Sequence, residues 1–141
     1  MKKPIHPCLW FDGQSRQAAE FYCSIFPNSK IINDNGMVVN FELDGFYFMG
    51  LNGGDNFKFN EAVSFVIPCD NQEEIDHYWN NLIADGGSEV NCGWCKDKFG
   101  VSWQVVPTIL ESLMMEPGKG QRVIQAFLKM NKFDIEALIN A

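Results

Sequence analysis

The feature that most constrains this chain is a repeated order of hydrophobic periodicities. Segments that alternate with period two read as strands, and apolar stripes at three- and four-residue spacing read as helices. Residues 5–11 alternate, with Leu9 and Phe11 on one face and His6, Cys8 and Trp10 on the other. Ala18, Phe21, Tyr22 and Ile25 then recur at helical spacing until Pro27-Asn28 stops the run. A short strand over 30–33 is ended by Asn33-Asp34-Asn35-Gly36, and 38–43 and 46–51 form two strands around the hairpin turn Asp44-Gly45. The order then recurs. Residues 62–67 predict a strand, and Asp70 or Asn71 a helix cap, with Asp70-x-x-Glu73 as its capping box. Ile75, Tyr78, Trp79, Leu82 and Ile83 form the next helical stripe, which Gly86-Gly87 terminates. Residues 88–94 and 101–106 predict two more strands around a turn at 96–100. The letters barely repeat, but the order of elements does, which predicts an internal structural duplication rather than a coincidence of common αβ orders.

Beyond Pro107 the pattern turns helical. Thr108-x-x-Glu111 reads as a capping box ahead of Leu110, Leu113 and Met114, and Pro117-Gly118 breaks the run. Val123, Ala126, Phe127 and Met130, then Ile135, Leu138 and Ile139, make two further stripes. Helices this short are not stable alone, so they must cover the sheet or a partner subunit.

Charge and composition exclude several classes. Eighteen acids against eleven bases give a net charge of −7. A nucleic-acid footprint needs a basic patch, and anionic membranes attract basic segments. No apolar stretch approaches the roughly 20 residues of a membrane span, and no signal-type apolar region follows the N-terminus. The expectation is a soluble cytoplasmic protein with five reduced cysteines, Cys8, Cys23, Cys69, Cys92 and Cys95. Cys92-Gly93-Trp94-Cys95 is a C-x-x-C motif, but no helix follows it to depress a thiol's pKa, so packing roles are expected. No G-x-G-x-x-G or G-x-x-x-x-G-K-[ST] loop is present, which removes the Rossmann and P-loop nucleotide sites.

The aromatic residues carry the most functional information. Trp10, Phe41, Phe48, Trp94 and Trp103 fall on predicted strands, beside the polar groups Asn52, Ser64 and Gln104. That mixture describes a small-molecule pocket, and equally an ordinary core or dimer interface. His6 could face inward and ligate a metal or touch substrate, or sit in solvent. His77 lies off its helix stripe and reads as a solvated residue.

Three stretches carry a specific resemblance. Pro7-Cys8-Leu9-Trp10-Phe11-Asp12-Gly13, Ala18-Ala19-Glu20-Phe21-Tyr22 and Ile25-Phe26-Pro27-Asn28-Ser29-Lys30-Ile31 resemble the PhnB-like proteins, often labelled 3-demethylubiquinone-9 3-methyltransferase. These belong to the vicinal-oxygen-chelate superfamily of glyoxalases, bleomycin-resistance proteins and dioxygenases. Gly50-Leu51-Asn52-Gly53-Gly54, Cys92-Gly93-Trp94, residues 98–107 and Phe133-Asp134-Ile135-Glu136-Ala137-Leu138 agree. The resemblance implies an α+β fold of two βαβββ modules forming a curved, U-shaped sheet around a cleft, plus short C-terminal helices. One domain over 1–141 would hold module one at about 4–54, module two at about 60–107 and the helices at about 108–141. It implies a homodimer, and the acidic charge argues against nucleic-acid and membrane partners.

The superfamily's enzymes hold a divalent metal on ligands from the first, middle and last strands. Here His6 is the only first-strand candidate, Ala62 and Ser64 stand on the fifth strand, and Gln104 stands where a Glu is expected. Hard and borderline cations want carboxylates or several imidazoles, so the expectation is neither metal nor cofactor. A small, partly aromatic ligand would then be bound by Trp10, Phe48, Ser64, Trp94, Trp103, Gln104 and His6, with Gln104 as polar anchor. The competing expectations are a metal-dependent lyase, isomerase or dioxygenase on His6 and Gln104, the S-adenosylmethionine-dependent methyltransferase of the family label, and a ligand-free structural dimer.

Overall fold

A computed structural model describes residues 3–141. The chain divides into two compact units, Met1–Phe59 and Asn60–Ala141. The first contains β1 (Cys8–Phe11), α1 (Ser15–Ile25), β2 (Lys30–Asp34), β3 (Val38–Leu43) and β4 (Phe46–Asn52). Its sheet has the order β1-β4-β3-β2, with β1 parallel to β4 and the other pairs antiparallel. Alternation puts Leu9, Phe11, Val39, Phe41, Leu43 and Phe48 on one face, where they are buried with Ala18, Ala19, Tyr22 and Ile25 of α1. Phe41 stacks on Tyr22 at 6.2 Å and on Phe48, its cross-strand partner, at 5.5 Å.

Two local devices fix this unit. The turn Asp44-Gly45 takes positive φ at both residues, 50° and 83°, as a two-residue type I′ hairpin requires. Gln14 gives α1 no side-chain cap, and Asn52 at the end of β4 supplies one from across the fold. Its Oδ1 accepts from the Ser15 N–H at 2.9 Å, while its Nδ2 donates to the Gly36 carbonyl at 3.1 Å. One side chain thus ties the helix start to the β2–β3 turn.

The second unit contains β5 (Ser64–Cys69), α2 (Gln72–Leu82), a 3-10 turn (Ala84–Gly86), β6 (Ser88–Glu89), β7 (Trp94–Lys96) and β8 (Ser102–Pro107). These are followed by α3 (Leu110–Met114), α4 (Gly120–Phe127) and α5 (Ile135–Ile139). Its sheet has the order β5-β8-β7-β6, again with a parallel first pair. Each unit therefore follows the same βαβββ path, with an 11-residue helix in each. The duplication read from periodicity is present.

Three local expectations are corrected. Residues 88–94 are not one strand: Cys92 (φ 60°) and Gly93 (φ 80°) are both left-handed and break the segment into β6, a turn and β7. That break supplies the strand the second half lacked. Of the two expected caps of α2 it is Asn71 that serves, its Oδ1 accepting from the Glu74 N–H at 2.9 Å, so the pairing is not the expected Asp70–Glu73 box. Thr108 caps nothing; its hydroxyl donates to Asp70 Oδ1 at 3.1 Å, and α3 starts without a side-chain cap.

The C-terminal segment is fastened to its own unit. Gln72 of α2 donates to the Phe133 carbonyl and accepts from the Ile135 N–H, both at 2.9 Å. The Cys92 and Gly93 N–H groups donate to the Met130 and Asn131 carbonyls, each at 2.8 Å. Phe133 is buried against Gly93, where a Cβ would lie 2.3 Å from its ring. No described helix is long and apolar enough to cross a membrane.

Candidate functional site

Alternation along β8 separates its side chains into two faces. Trp103, Val105 and Pro107 turn toward α2 and are buried, while Ser102, Gln104 and Val106 take the opposite face. Strand pairing brings two rows together on that second face. Trp94, Gln104 and Val66 are register partners across β7, β8 and β5; Lys96, Ser102 and Ser64 form the neighbouring row.

The side chains there are complementary. Gln104 Nε2 donates to Ser64 Oγ at 2.9 Å, which orients the amide. Gln104 Oε1 and the Trp94 indole N–H have no hydrogen-bond partner among the described residues. Val66 is exposed, an apolar side chain on an otherwise polar strip. Lys96 pairs with Glu61, and that contact holds the Glu61 carboxyl below the usual carboxylate range. The face thus offers an indole, an oriented amide and hydroxyls, which suits hydrogen-bonded recognition of a flat molecule. Among the described residues, the hydrogen bond to Ser64 Oγ comes from the Gln104 amide and not from a general base.

The expected site residues divide. Ser64, Trp94 and Gln104 converge on this face. Phe48 and Trp103 do not line it: both are core residues on the helix side. Phe48 stacks on Phe41, and the Trp103 indole donates to buried Asp97 Oδ2 at 2.9 Å. A one-residue change of position moves a strand side chain to the opposite face, and aromatic content alone carries no such parity. On the first unit, Trp10 is half-buried, donates to the Gly54 carbonyl at 2.8 Å and meets Phe57 edge-on at 4.8 Å. His6 precedes β1; its Nδ1 lies 2.8 Å from the Pro4 carbonyl and its ring meets Tyr47 at 4.5 Å. Asn52 is a structural tie.

Asp97, Lys96, Ser102 and Glu61 were not singled out by sequence reasoning. Asp97 is buried and accepts from the Phe99 and Val101 N–H groups at 2.8 and 3.1 Å as well as from Trp103. A signal existed for Ser102, because it sits two residues from Gln104 and so shares its face.

The chemistry of the donors does not fit the fold's divalent metal. Ser64 and Gln104 are neutral and bonded to each other. Among the described residues no group of three or more His, Cys, Asp and Glu could hold a metal ion. All five cysteines are free, and burial pushes the Cys95 thiol up to about 12, with Asp97 and Glu89 adding to it, which disfavours its thiolate.

Comparison with known proteins agrees with this architecture. The PhnB protein of Bacillus cereus superposes with a TM-score of 0.69 at 31% identity, covering 75% of this chain and 100% of its own. The fosfomycin resistance protein FosX of Listeria monocytogenes, described in complex with Mn(II), superposes at 0.60 with 17% identity, covering 82% and 98%. A glyoxalase-related enzyme of Fulvimarina pelagi gives 0.57 at 12% identity, covering 78% and 91%. Two βαβββ units with helix-backed sheets thus place the chain in the vicinal-oxygen-chelate fold class. The profile of the family described as 3-demethylubiquinone-9 3-methyltransferase matches residues 3–106, and the chain belongs to that family, the PhnB-like proteins. No curated protein matches the sequence.

Proposed function

We propose that the protein binds a small planar molecule on the helix-free face of its second sheet, through Ser64, Trp94 and Gln104, with neither metal nor cofactor. The observation that carries this reading is the Gln104 amide: Ser64 orients it at 2.9 Å beside Trp94, and its carbonyl has no partner among the described residues. An amide held this way selects a ligand's donors and acceptors without ionising. Trp10 of the first unit is a further aromatic candidate of this reading, and a homodimer is the assembly it carries over from the family.

Methyl transfer, which the family's name implies, is the weaker reading, because the chain has no glycine-rich loop for a nucleotide-type cofactor. A thermal-shift screen of planar aromatic compounds tests the proposal, since a ligand at a hundred times its Kd adds about 2.7 kcal/mol. Hits should lose their shift in Trp94→Ala and Gln104→Ala. Shifts that survive both substitutions would move the site elsewhere. Saturable heat on titrating S-adenosylmethionine would restore the methyltransferase reading.

A further inference from the structure

We propose that Lys96, Ser102 and Ser64 form an oxyanion-binding row, so that the ligand is a planar aromatic carboxylate, and that Glu61 occupies the Lys96 end of this row in the free protein. This deepens the ligand-binding reading above and rests on it.

Ser102 carries the argument. It is 1% exposed, and its Oγ has no hydrogen-bond partner among the described residues. Leaving a buried hydroxyl unpaired is costly, and native proteins seldom do so without a reason. Its two register neighbours are Lys96 and Ser64. Ser64 already accepts from Gln104, so its own O–H remains to be given. The Trp94 N–H is also unpartnered among the described residues. The Ser102 and Ser64 hydroxyls and the Trp94 indole can each donate, and one neighbour, Lys96, is a cation. Such a row selects an acceptor-rich, negatively charged group. Trp94 and Val66 in the adjoining row supply the apolar surface for a ring.

Glu61 shows what Lys96 already holds. It lies just before β5, its side chain is 56% exposed, and its carboxylate pairs with Lys96. An entering carboxylate would exchange with it, so that Lys96 is never left unpaired. Exposed pairs of this kind are weak and easily exchanged.

The test compares 2-naphthoate with its neutral isostere 2-naphthamide by calorimetry on the full chain. Naphthoate should bind more tightly, and added salt should narrow the gap. Lys96→Met should weaken naphthoate by roughly tenfold and leave naphthamide unchanged. Ser102→Ala should weaken naphthoate severalfold. Glu61→Gln should strengthen it by removing the internal competitor; its exposed position makes this variant informative even if Ser102→Ala fails to fold. Equal affinity for the two probes, or naphthoate affinity unmoved by Lys96→Met and Glu61→Gln, overturns the oxyanion row and leaves the ligand-binding reading standing. If neither probe binds, both readings fall.

Discussion

The two units share a path but use their sheet faces differently. In both, the helix-facing side is apolar and closed: Tyr22, Phe41 and Phe48 in the first, Trp79, Ile67 and Val105 in the second. The opposite faces have diverged. The first sets Trp10, Leu51 and Val38 beside Asn40 and Glu42, whereas the second sets Trp94 and Val66 beside Ser64, Gln104 and the cation Lys96. The second sheet also has much shorter outer strands, two and three residues against five and six. The lesson is a division of labour. A duplicated scaffold must keep the face that packs its helix, and is free to change the other.

The most direct way to break this comparison is to cut one large side chain from each face. Phe41→Ala and Trp79→Ala should each cost about 3–5 kcal/mol in urea unfolding, because Phe41 of β3 and Trp79 of α2 are almost wholly buried in the cores of their units. Trp94→Ala, on the opposite face of the second sheet, should cost under about 1 kcal/mol. A Trp94 loss equal to that of Trp79 would show that the face proposed for binding is core.

A second contrast concerns how Trp10 of the first unit and Trp103 of the second are held. Trp103 depends on a side chain, since Asp97 accepts its indole N–H and two backbone N–H groups of the 97–101 turn. Asp97→Ala strands all three donors and should cost about 2–4 kcal/mol. Trp10 instead donates to a backbone carbonyl, that of Gly54, which no substitution deletes. Its weak point is steric: a Cβ at Gly53 would lie 2.3 Å from its ring. Gly53→Ala should therefore cost about 1–3 kcal/mol by overpacking. Equilibrium unfolding ranks the pair, and a silent Asp97→Ala would remove Asp97 from the account.

The thiols sharpen the comparison at high pH. Burial is the main cause that pushes Cys69 and Cys95 of the second unit up to about 12, whereas Cys8 and Cys23 of the first are raised less. Both values lie above the unfolded thiol's, about 8.5. The folded state therefore holds its protons where the unfolded chain releases them. Each thiol's contribution is complete below about pH 8.5 and is lost as pH rises toward 12, by about 1.4 kcal/mol per unit. Cys69→Ala and Cys95→Ala should flatten the alkaline fall in stability more than Cys8→Ala does. Native protein should give up Cys8, the exposed thiol, to a thiol reagent well before either buried one. Equal labelling rates would contradict the assigned burial.

Much of this was legible in the sequence, for stateable reasons. Period two exposed β1, β3 and β4, and the Asp44-Gly45 turn fixed the hairpin between the last two. What escaped reading was non-local. Two successive left-handed residues, Cys92 and Gly93, are stabilised by carbonyls of Met130 and Asn131, far along the chain. Face assignment was lost at Phe48 and Trp103, because an aromatic on a strand fits either side until a neighbour such as Phe41 or Cys95 sets the parity. The Ser64, Trp94 and Gln104 cluster was half visible: its residues were named, but the pairing of β5, β7 and β8 was needed to make them neighbours.

The smallest expected effect belongs to the C-terminal segment, which only the second unit carries. Lys132 pairs with Asp76 of α2 at 2.9 Å, and its hydrogen bond is the main cause holding the Asp76 carboxyl below its ordinary value. The contribution is therefore present above the unfolded carboxyl's pKa, about 3.9, and disappears as pH falls through the lower folded value. Both side chains are well exposed, 34% and 44%, so screening keeps the pair weak. Asp76→Asn should cost only about 0.2–1 kcal/mol at neutral pH, and less in high salt. The two Gln72 bonds continue to hold residues 133–135 when the ion pair is gone. A loss of several kcal/mol, or one that persists at pH 2, would mean that Asp76 supports the segment by packing rather than by charge.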